Sequence, residues 1–415
     1  MSAPTTAAPR NPLLDGRPGL VEVLDALDRD GEEARIVGGA VRDWLIGRGS
    51  RSDIDIATTA PPDEVIRRAR AAGLKPVPTG IEHGTVTIVA QGEPYEVTTL
   101  REDVETDGRR ARVVFGRSWA HDAARRDFTM NALYLTRAGD LIDLVGGAAD
   151  AKVGRVRFIG DPDRRIREDY LRILRLFRFH AAYGRGPFDE DALAAAIRNR
   201  DGLARLSRER VRAELMKLLV APRAAPTLAD MQRAGLLEPV LGRPGAVETF
   251  ARLAEVETAL GRGADAIRRL GALAVRGEGD AQALRGELRL SNAEAARLAA
   301  LAGPAPTPGM CEKGQKAFLY RMGREAFEDR ALIAFARSRA PLDDAGWRAL
   351  AALAADWPLP VFPLRAADFV VRGLSPGPAL GAALKRAEEA WIEAGFPMGA
   401  DALAAIVQAS LTVAD

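Results

Sequence analysis

The sequence predicts an α+β protein in which a small α/β head with a mixed sheet precedes an all-helical remainder. Between residues 20 and 147, short β-rich runs alternate with helical ones, and strands and helices in one compact unit indicate such a head. After Gly146 and Gly147 the pattern turns helical and stays helical to the end. The length of 415 residues is typical of about two to four domains.

Clusters of glycine and proline, which punctuate regular structure, divide the chain into predicted segments. The predicted segments are a disordered leader (1–19), the head (20–147), a helical neck (148–220), a helical body (221–303) and a helical tail (304–415). The leader is predicted because the first nineteen residues are rich in Ala and Pro and contain no continuous apolar run of the kind found in signal peptides.

The elements of the head follow from local patterns, taken in chain order. Helices are predicted where an apolar periodicity ends at a glycine, and strands where β-branched residues cluster. The predicted elements are a helix at 20–31, a strand at 33–39, a helix at 40–47, a strand at 52–59, a helix at 61–73 and further strands at 84–90, 95–100 and 132–145.

The composition excludes several classes of protein. The single cysteine, Cys311, excludes a disulfide partner and any cysteine-based metal cluster. There is no run of about 18 uncharged apolar residues, so we expect no membrane span and a cytoplasmic location. The net charge is only +2, because 59 basic residues nearly balance 57 acidic ones. If the partner is a nucleic acid, the positive charge that binds it must therefore be concentrated on one part of the surface.

Two aspartates, Asp53 and Asp55, flank one isoleucine in the predicted strand. Residues i and i+2 of a strand project to the same face, so we expect the two carboxylates to stand side by side. Adjacent carboxylates repel each other, and a cation relieves the repulsion. Their oxygen atoms favour Mg²⁺, which also binds substrate phosphates. A pair of such ions can activate an attacking hydroxyl and stabilise a leaving oxygen.

The residues upstream of this pair decide between two interpretations. A short Asp-x-Asp pattern alone is more typical of a solvated strand end. However, Gly38 and Gly39 lie where a strand leads into a helix, so the backbone there can approach an anion closely. Arg42 lies in the first turn of that helix. Glycines, arginine and paired carboxylates together indicate a site for a metal-bound triphosphate.

The stretch GGAVRDWLIGRGSRSDIDIATTAPPDEV, residues 38–65, carries a resemblance to a known family. It resembles the opening motif of the class II nucleotidyltransferases, which comprise bacterial tRNA CCA-adding enzymes and poly(A) polymerases. The match to G-G-x-V-R-D followed by D-x-D is specific. The resemblance implies that Gly38, Gly39 and Arg42 hold phosphates, and that Asp53 and Asp55 are the catalytic residues and hold Mg²⁺.

A second matching segment, RRDFTMNAL, spans residues 125–133. By itself it reads as an ordinary charged helix end. In the family a closely similar segment lies beside the nucleotide, so the resemblance implies that Arg126 and Asp127 touch the ribose or the phosphates. The matching motifs run from about residue 37 to residue 219, roughly half of the chain.

A third segment lies in the predicted neck, where nine basic and four acidic residues occur between Lys152 and His180. Asp169 and Arg172 are three residues apart, which makes them neighbours on one face of a helix. The simple interpretation is a solvated ion pair. A carboxylate that only accepts and a guanidinium that only donates would also fit cytosine and adenine, which present an amine beside a ring-nitrogen acceptor. Guanine and uracil present the reverse pattern, a carbonyl acceptor beside a ring N–H donor, so neither the carboxylate nor the guanidinium could pair with them.

The family carries this pair in an E-D-x-x-R motif, matched here by Glu168, Asp169 and Arg172. The resemblance therefore implies a protein template for CTP and ATP, with Arg175 and Arg178 near the phosphates. Two further assignments are looser. Glu96 is a possible third carboxylate at the metals, and the loop over residues 100–119 contains Arg109, Arg110 and Arg112, for which contact with RNA phosphate and simple solvent exposure are equal alternatives.

The resemblance implies a CCA-adding tRNA nucleotidyltransferase with tRNA, CTP and ATP as partners and Mg²⁺ as cofactor. Poly(A) polymerase, a CC-adding enzyme and an A-adding enzyme are the alternatives within the family. The strongly basic extensions of poly(A) polymerases are missing, since residues 301–415 contain twelve basic and thirteen acidic side chains. A noncatalytic RNA-binding protein is the alternative from another class, and the two aspartates argue against it.

Overall fold

A computed structural model of the chain describes residues 11–49, 53–103 and 113–411. It contains two compact units. The first comprises the chain up to Thr227 together with Ala234–Leu236, and the second comprises Leu228–Arg233 and the chain from Leu237 onward. The predicted boundaries between head and neck and between body and tail stay predictions.

The strands all belong to the first unit. In the described residues they are β1 (Ala34–Val37), β2 (Asp55–Thr58), β3 (Lys75–Gly80), β4 (Thr85–Ala90), β5 (Glu93–Thr99), β6 (Arg101–Asp103), β7 (Val113–Phe115), β8 (Leu133–Leu135) and β9 (Leu141–Asp143). Seven of them form one sheet in the order β3-β4-β5-β2-β1-β8-β9, and β6 pairs with β7 separately. Only β2 and β5 pair in parallel within the described sheet, so the sheet is mixed, as predicted.

The helices of the first unit surround this sheet and continue beyond it. They are α1 (Pro18–Leu27), α2 (Gly39–Leu45), α3 (Pro62–Ala71), α4 (Trp119–Arg125), α5 (Gly147–Val153), α6 (Pro162–Glu168), α7 (Leu171–Tyr183), α8 (Glu190–Arg198) and α9 (Arg208–Leu219). Side-chain caps fix several starts: Ser118 and Ser207 each accept a hydrogen bond from the backbone N–H three residues on.

The rest of the chain is helical, as the sequence predicts. Its helices are α10 (Ala224–Arg233), α11 (Leu237–Leu241), α12 (Val247–Ala259), α13 (Ala266–Ala274), α14 (Glu278–Leu288), α15 (Asn292–Ala300), α16 (Glu312–Met322), α17 (Arg324–Ser338), α18 (Ala345–Asp356), α19 (Ala366–Val370), α20 (Pro378–Glu393) and α21 (Ala400–Leu411). The predicted α+β class, with a mixed-sheet head followed by helices, is confirmed.

The second unit contains an apolar core and a buried charged network. Trp391 is fully buried, packs edge-on against Phe396 with ring centroids 5.0 Å apart, and donates its indole N–H to the Pro397 carbonyl. On α17, Asp329 accepts from Arg297 at 2.9 Å. Such buried charges are tolerated because each has a partner of opposite charge.

The predicted disordered leader is wrong for residues 11–19. Pro12–Leu14 form a 3₁₀ helix capped by Asn11, and α1 begins at Pro18. Asn11 and Leu13 are buried, and the Asn11 amide donates to the Thr136 carbonyl at 2.8 Å. The segment is ordered because one apolar side chain and one amide attach it to the head, a contact that composition alone does not reveal. The rest of the predicted leader lies outside the described residues.

Two other segments of the head differ from their predictions. Lys75–Gly80 forms β3, which the sequence did not predict because the segment contains two prolines. The prolines are tolerated because β3 is an edge strand, where a residue without a backbone N–H costs no ladder hydrogen bond. The predicted loop over 100–119 contains β6 and β7 at its ends and the start of α4 at Trp119. None of the described helices is both long and apolar enough to cross a bilayer.

Candidate active site

The acidic pair lies at the start of β2, in the middle of the sheet. The strand begins at Asp55, so Asp53 precedes it instead of lying within it as predicted. Asp55 pairs with Val37 of β1 on one side and with Glu96 of β5 on the other. Ile54 and Ile56 are buried whereas Asp53 and Asp55 are exposed, so the aspartates do share a side of the chain that faces away from the core.

The neighbours of Asp55 change its ionisation. Although Asp55 still reaches solvent, the surrounding protein removes part of the water from its carboxylate. This partial burial, followed by the negative charge of Glu96, raises the pKa of Asp55 to about 6. Arg126 opposes this shift, and Asp53 adds to it. When neighbouring carboxylates disfavour the ionised form of an aspartate, a bound cation stabilises that form. Asp53, Asp55 and Glu96 therefore fit a divalent cation chemically.

This acidic cluster is not a closed metal cage. Among the described residues, no group of three or more His, Cys, Asp and Glu side chains is arranged to enclose an ion by itself. An ion held by Asp53 and Asp55 would need further oxygen ligands from water or from a substrate. That arrangement is typical of Mg²⁺ sites that also bind phosphates.

The glycine turn sits one strand away from the aspartates. Gly38 has φ +78° and ψ −125°, a backbone conformation that favours glycine, and it caps α2. A Cβ atom at Gly38 would lie 3.9 Å from Nη1 of Arg126. The backbone of Gly38, the first residue of α2 (Gly39) and the guanidinium of Arg126 therefore lie close together.

Arg42, predicted to hold phosphate, is buried and occupied by protein partners. Its Nε donates to Asp43 at 2.9 Å, its Nη1 to Asn131 Oδ1 at 2.7 Å and its Nη2 to the Tyr183 hydroxyl at 2.5 Å. Only 4% of Arg42 is exposed. A guanidinium has five N–H donors, so most of its capacity serves the fold. The role of Arg42 toward phosphate stays a prediction.

Arg126 and Asp127 lie beside one another but belong to separate networks. Arg126 is paired with the buried Asp122, which also accepts from Arg125 and from the Tyr134 hydroxyl. Asp127 accepts from Arg175 Nε at 2.7 Å and Nη2 at 2.5 Å. Burial is the largest influence on the pKa of Asp127 and would raise it, but Arg175 and the other donors outweigh burial and lower the pKa.

The predicted base-reading pair does not form the helical ion pair expected from its spacing. α6 ends at Glu168, Asp169 is extended, and α7 begins at Leu171, so Asp169 and Arg172 do not share one continuous helix. Arg172 donates to Glu168 at 2.6 Å, and Arg210 of α9 donates to Asp169 Oδ2 at 2.7 Å. Each side chain is therefore held by a different partner. Both nevertheless face the same cavity.

Arg178 completes the basic side of the cavity. Its Nε donates to Glu214, a buried carboxylate on α9, and its guanidinium lies 4.3 Å from the centre of the Phe179 ring. Glu214 also lies 3.7 Å from Arg175. One carboxylate of α9 therefore orients two arginines of α7.

One cavity of about 670 Å³ collects nearly all of the predicted residues. Predicted residues that line it are Gly38, Gly39, Arg42, Asp53, Asp55, Arg126, Asp127, Asp169, Arg172, Arg175 and Arg178. Its volume lies within the range of small-molecule sites. Glu96 is beside Asp55 but does not line the cavity. Arg109, Arg110 and Arg112 lie outside the described residues.

Sequence reasoning missed several residues that also line the cavity: Arg125, Asn131, Leu171, Phe179, Arg210 and Lys217. Arg210 and Lys217 are seven residues apart on α9, which is two helical turns and therefore one face. That spacing is the signal that was available. With these residues included, eight basic side chains and four carboxylates line the cavity, a surplus of four positive charges.

Comparisons with known proteins agree with this geometry. Residues 34–157 match the model of the poly A polymerase head domain, and residues 187–248 match the model described as "Probable RNA and SrmB- binding site of polymerase A". A crystal structure of the Bacillus stearothermophilus CCA-adding enzyme in complex with CTP superposes with a TM-score of 0.73 at 29% identity. The superposition covers 92% of this chain and 94% of that one.

Residues 34–157 of this chain therefore carry a poly A polymerase head domain.

Curated relatives named as CCA tRNA nucleotidyltransferase or CCA-adding enzyme match about half of the chain. The mitochondrial CCA tRNA nucleotidyltransferase 1 of Danio rerio is 44% identical over 226 residues, which cover 53% of this chain and 52% of the relative. The CCA-adding enzyme of Leuconostoc citreum is 43% identical over 219 residues, which cover 52% of each protein. The chain therefore spans about half the length of the curated relatives that it matches.

Proposed function

We propose that this nucleotidyltransferase adds C, C and A to the 3′ end of tRNA, without a nucleic-acid template, from CTP and ATP. The observation that carries the proposal is one cavity whose lining includes both Asp53 and Asp55, at the start of β2, and Asp169 and Arg172, at the junction of α6 and α7. The volume of about 670 Å³ is suited to one nucleotide. The surplus of four positive charges in its lining balances a triphosphate.

The reaction proposed here is a displacement at phosphorus. The terminal ribose hydroxyl of the RNA attacks the α-phosphate of the nucleotide, a new P–O bond forms, and the bond to the β-phosphate oxygen breaks to release pyrophosphate. The hydroxyl proton passes to solvent or to an acceptor. Arg175 and Arg178, which Asp127 and Glu214 hold in place, supply fixed positive charge near the phosphates and stabilise the charge that develops there.

Asp53 and Asp55 are the residues that would hold Mg²⁺, with Glu96 as a possible third carboxylate beside Asp55. When bound, Mg²⁺ supplies charge neutralisation for the phosphates and a lower pKa for the attacking hydroxyl. The raised pKa of Asp55 supports this assignment, because clustered carboxylates without a cation disfavour each other's ionisation. The general use of a divalent metal in this family agrees with it.

Base selection is assigned to Asp169 and Arg172. The amine of cytosine or adenine would donate to Asp169, and the adjacent ring nitrogen would accept from Arg172. Asp169 accepts from Arg210 and from the Leu171 N–H, and its carboxylate has lone pairs left for an amine. A carbonyl and ring N–H, as in guanine or uracil, would leave both protein groups unpaired.

The proposed partner is tRNA, because the Danio rerio relative is a tRNA nucleotidyltransferase by name. The local surplus of basic side chains in the first unit offers a phosphate-binding surface. The predicted contribution of Arg109, Arg110 and Arg112 and the predicted cytoplasmic location stay predictions.

The experiment that tests the function supplies radiolabelled CTP and ATP together with a tRNA trimmed of its 3′ end. Incorporation of C, C and then A supports the proposal. The family model named for poly A polymerase makes long A tracts on generic RNA the relevant second outcome, and addition of C alone or of A alone would identify a partial activity. No incorporation on any RNA would favour a noncatalytic RNA-binding protein.

The same assay tests the metal site. Replacing Asp53 by Ala should reduce transfer to background while the fold stays intact, because Asp53 is exposed and precedes β2. Circular dichroism of the variant checks the fold. The matched control is Asp63→Ala, which removes an exposed aspartate in the first turn of α3 that does not line the cavity. Appreciable turnover by the Asp53→Ala variant in Mg²⁺ would remove Asp53 from the site.

A further inference from the structure

One face of α7 extends from the base-reading end of the cavity to the glycine turn. Arg172, Arg175, Phe179 and Tyr183 follow each other at intervals of three and four residues, so they lie on one side of the helix. The first three line the cavity. Tyr183, the last residue of α7, does not line it and has no part in the reaction described above.

Tyr183 instead contacts the helix that starts at the glycine turn. Its hydroxyl accepts from Arg42 Nη2 at 2.5 Å, and the Arg42 guanidinium carbon lies 3.8 Å from the centre of its ring. A second guanidinium, that of Arg48, lies 4.7 Å from the same ring centre. Arg48 also donates to the Ala182 carbonyl at 2.7 Å. Arg42 and Arg48, two cations that follow the glycine turn, therefore both contact the last turn of α7.

Arg42 transmits this contact to the turn itself. Its backbone N–H donates to the Gly38 carbonyl at 3.0 Å, and its Nη1 reaches Asn131 Oδ1 at 2.7 Å. The turn at Gly38, the motif around Asn131 and the last turn of α7 are thus joined through one buried guanidinium. Because Arg42 is almost fully enclosed, this connection has little freedom to rearrange.

We propose that Tyr183 is a positioning residue that sets the spacing between the glycine turn at Gly38 and the base-reading residue Arg172, through its contacts with Arg42 and Arg48. The inference rests on the proposed function. A nucleotide has a fixed reach from base to phosphates, so it satisfies both ends of the cavity only when α7 and the turn are held at the matching separation. A ligand that occupies one end alone is insensitive to that separation.

The test compares two probes on the full chain in Mg²⁺ without RNA. CTP spans both ends of the cavity, whereas inorganic tripolyphosphate carries the phosphates without a base. The variant is Tyr183→Phe, which keeps the ring under the two guanidinium groups and removes only the hydroxyl. Loss of a hydrogen bond to a charged group is expected to weaken CTP binding roughly tenfold and to leave tripolyphosphate binding within about twofold of the wild type.

The matched control is Tyr320→Phe, which removes a hydroxyl that donates to Glu388 at 2.7 Å in the second unit. It should change neither probe. A second variant, Arg48→Met, leaves the Arg42 bond intact and removes the other cation at the ring. Relative to the wild type, it should weaken CTP binding by less than tenfold but measurably, again without affecting tripolyphosphate, so it carries the test even if the tyrosine variant does not fold.

Two results overturn the inference alone: equal weakening of CTP and tripolyphosphate, which indicates general damage or a local phosphate effect, and unchanged binding of both probes. A wild-type chain that binds neither probe overturns the proposed function, and the inference with it. The two failures are therefore distinguishable in one set of titrations.

Discussion

The carboxyl group of Asp55 shows how neighbouring residues set a chemical property that the residue type does not have by itself. An isolated aspartate ionises near pH 3.9, but burial and Glu96 raise the pKa of Asp55 to about 6. The register of the parallel strands accounts for the second of these causes, because it places Glu96 directly beside Asp55. At the proposed metal site, protons and Mg²⁺ would therefore compete for Asp55 within the pH range of ordinary assay buffers.

This competition predicts a pH dependence of cation binding. Binding requires the ionised form of Asp55, so the affinity for Mg²⁺ should fall as the pH falls through about 6. In Glu96→Gln a negative neighbour is removed, the pKa of Asp55 moves down toward its ordinary value, and the midpoint should shift to lower pH. The shift is partial, because burial is the larger cause. Calorimetric titrations with Mg²⁺ across this pH range measure it.

The control for that measurement is Glu82→Gln, which removes an exposed carboxylate in the 3₁₀ segment Ile81–His83 of the head. Its midpoint should equal that of the wild type. A midpoint that is the same in Glu96→Gln and in the wild type would show that Glu96 does not influence Asp55.

At the scale of elements, the break between α6 and α7 determines how Asp169 and Arg172, the residues proposed to read the base, are presented. Asp169 lies in the break and Arg172 in the first turn of α7. Because the chain is extended at Asp169, the two side chains take separate partners, Arg210 and Glu168, instead of neutralising each other. Both groups thereby remain oriented toward the cavity.

Replacing Arg172 by Ala should blur the choice among the four nucleotides more than it lowers stability. The variant loses the donor for the ring nitrogen of C and A, so the ratio of kcat/KM for CTP to that for UTP should fall by about tenfold or more. Single-nucleotide incorporation assays measure this ratio. Arg167→Ala, an exposed arginine on α6 that does not line the cavity, is the control. Unchanged selectivity in Arg172→Ala would mean that the base is read elsewhere.

A second feature at the scale of elements is the contact between α5 and the 3₁₀ helix Thr129–Asn131. A Cβ atom at Gly147 would lie 2.0 Å from the Thr129 carbonyl oxygen, so Gly147→Ala must displace the segment that positions Asn131. We expect a loss of about 3 kcal/mol in the free energy of unfolding, measured by urea denaturation. Gly279→Ala, in the first turn of α14 with open space around it, should be neutral or slightly stabilising. Equal stability of the two variants would contradict this account.

The elements with strong local signals were predictable, whereas contacts between distant segments were not. Glycine closure and β-branched runs predicted β1, α2, β2 and α3 closely. The partners of Asp169 and Arg172 could not be predicted from their spacing, because the backbone breaks its helix between them. Asp127 illustrates the same limit: its carboxylate is satisfied by Arg175, 48 residues away, and only the fold brings them together.

At the scale of the whole molecule, the second unit is stabilised by a charged network of its own. Glu257 on α12 accepts from Arg268 and Arg269, and Asp329 on α17 accepts from Arg268 and Arg297. Burial raises the pKa of Asp329, and Arg297 and Arg268 oppose the shift. The carboxylate of Asp329 is itself buried, since only 1% of this residue is exposed.

Removing one member of this network should destabilise the second unit strongly. Asp329→Ala removes a buried carboxylate that Arg268 and Arg297 share. The loss should be about 3 kcal/mol, at the low end for a broken buried pair, because Glu257 and Asp265 still pair with the two arginines. Differential scanning calorimetry should show an earlier transition for the variant, while CTP binding, whose residues all lie in the first unit, is retained. Glu389→Ala removes an exposed partner of Arg321 and should cost less than about 1 kcal/mol. A loss as small as this in Asp329→Ala would refute the account.

The parallel pairing of β2 with β5 has a consequence for how such heads tolerate change over evolution. The chain leaves β2, passes through α3 and the β3–β4 hairpin, and returns in β5 beside its starting point. Hydrogen bonds between the two strands, and not the length of the excursion, determine where Glu96 meets Asp55. Extra residues in the turns of the excursion would leave the acidic cluster intact, whereas a one-residue deletion inside β5 would exchange Glu96 for an apolar neighbour.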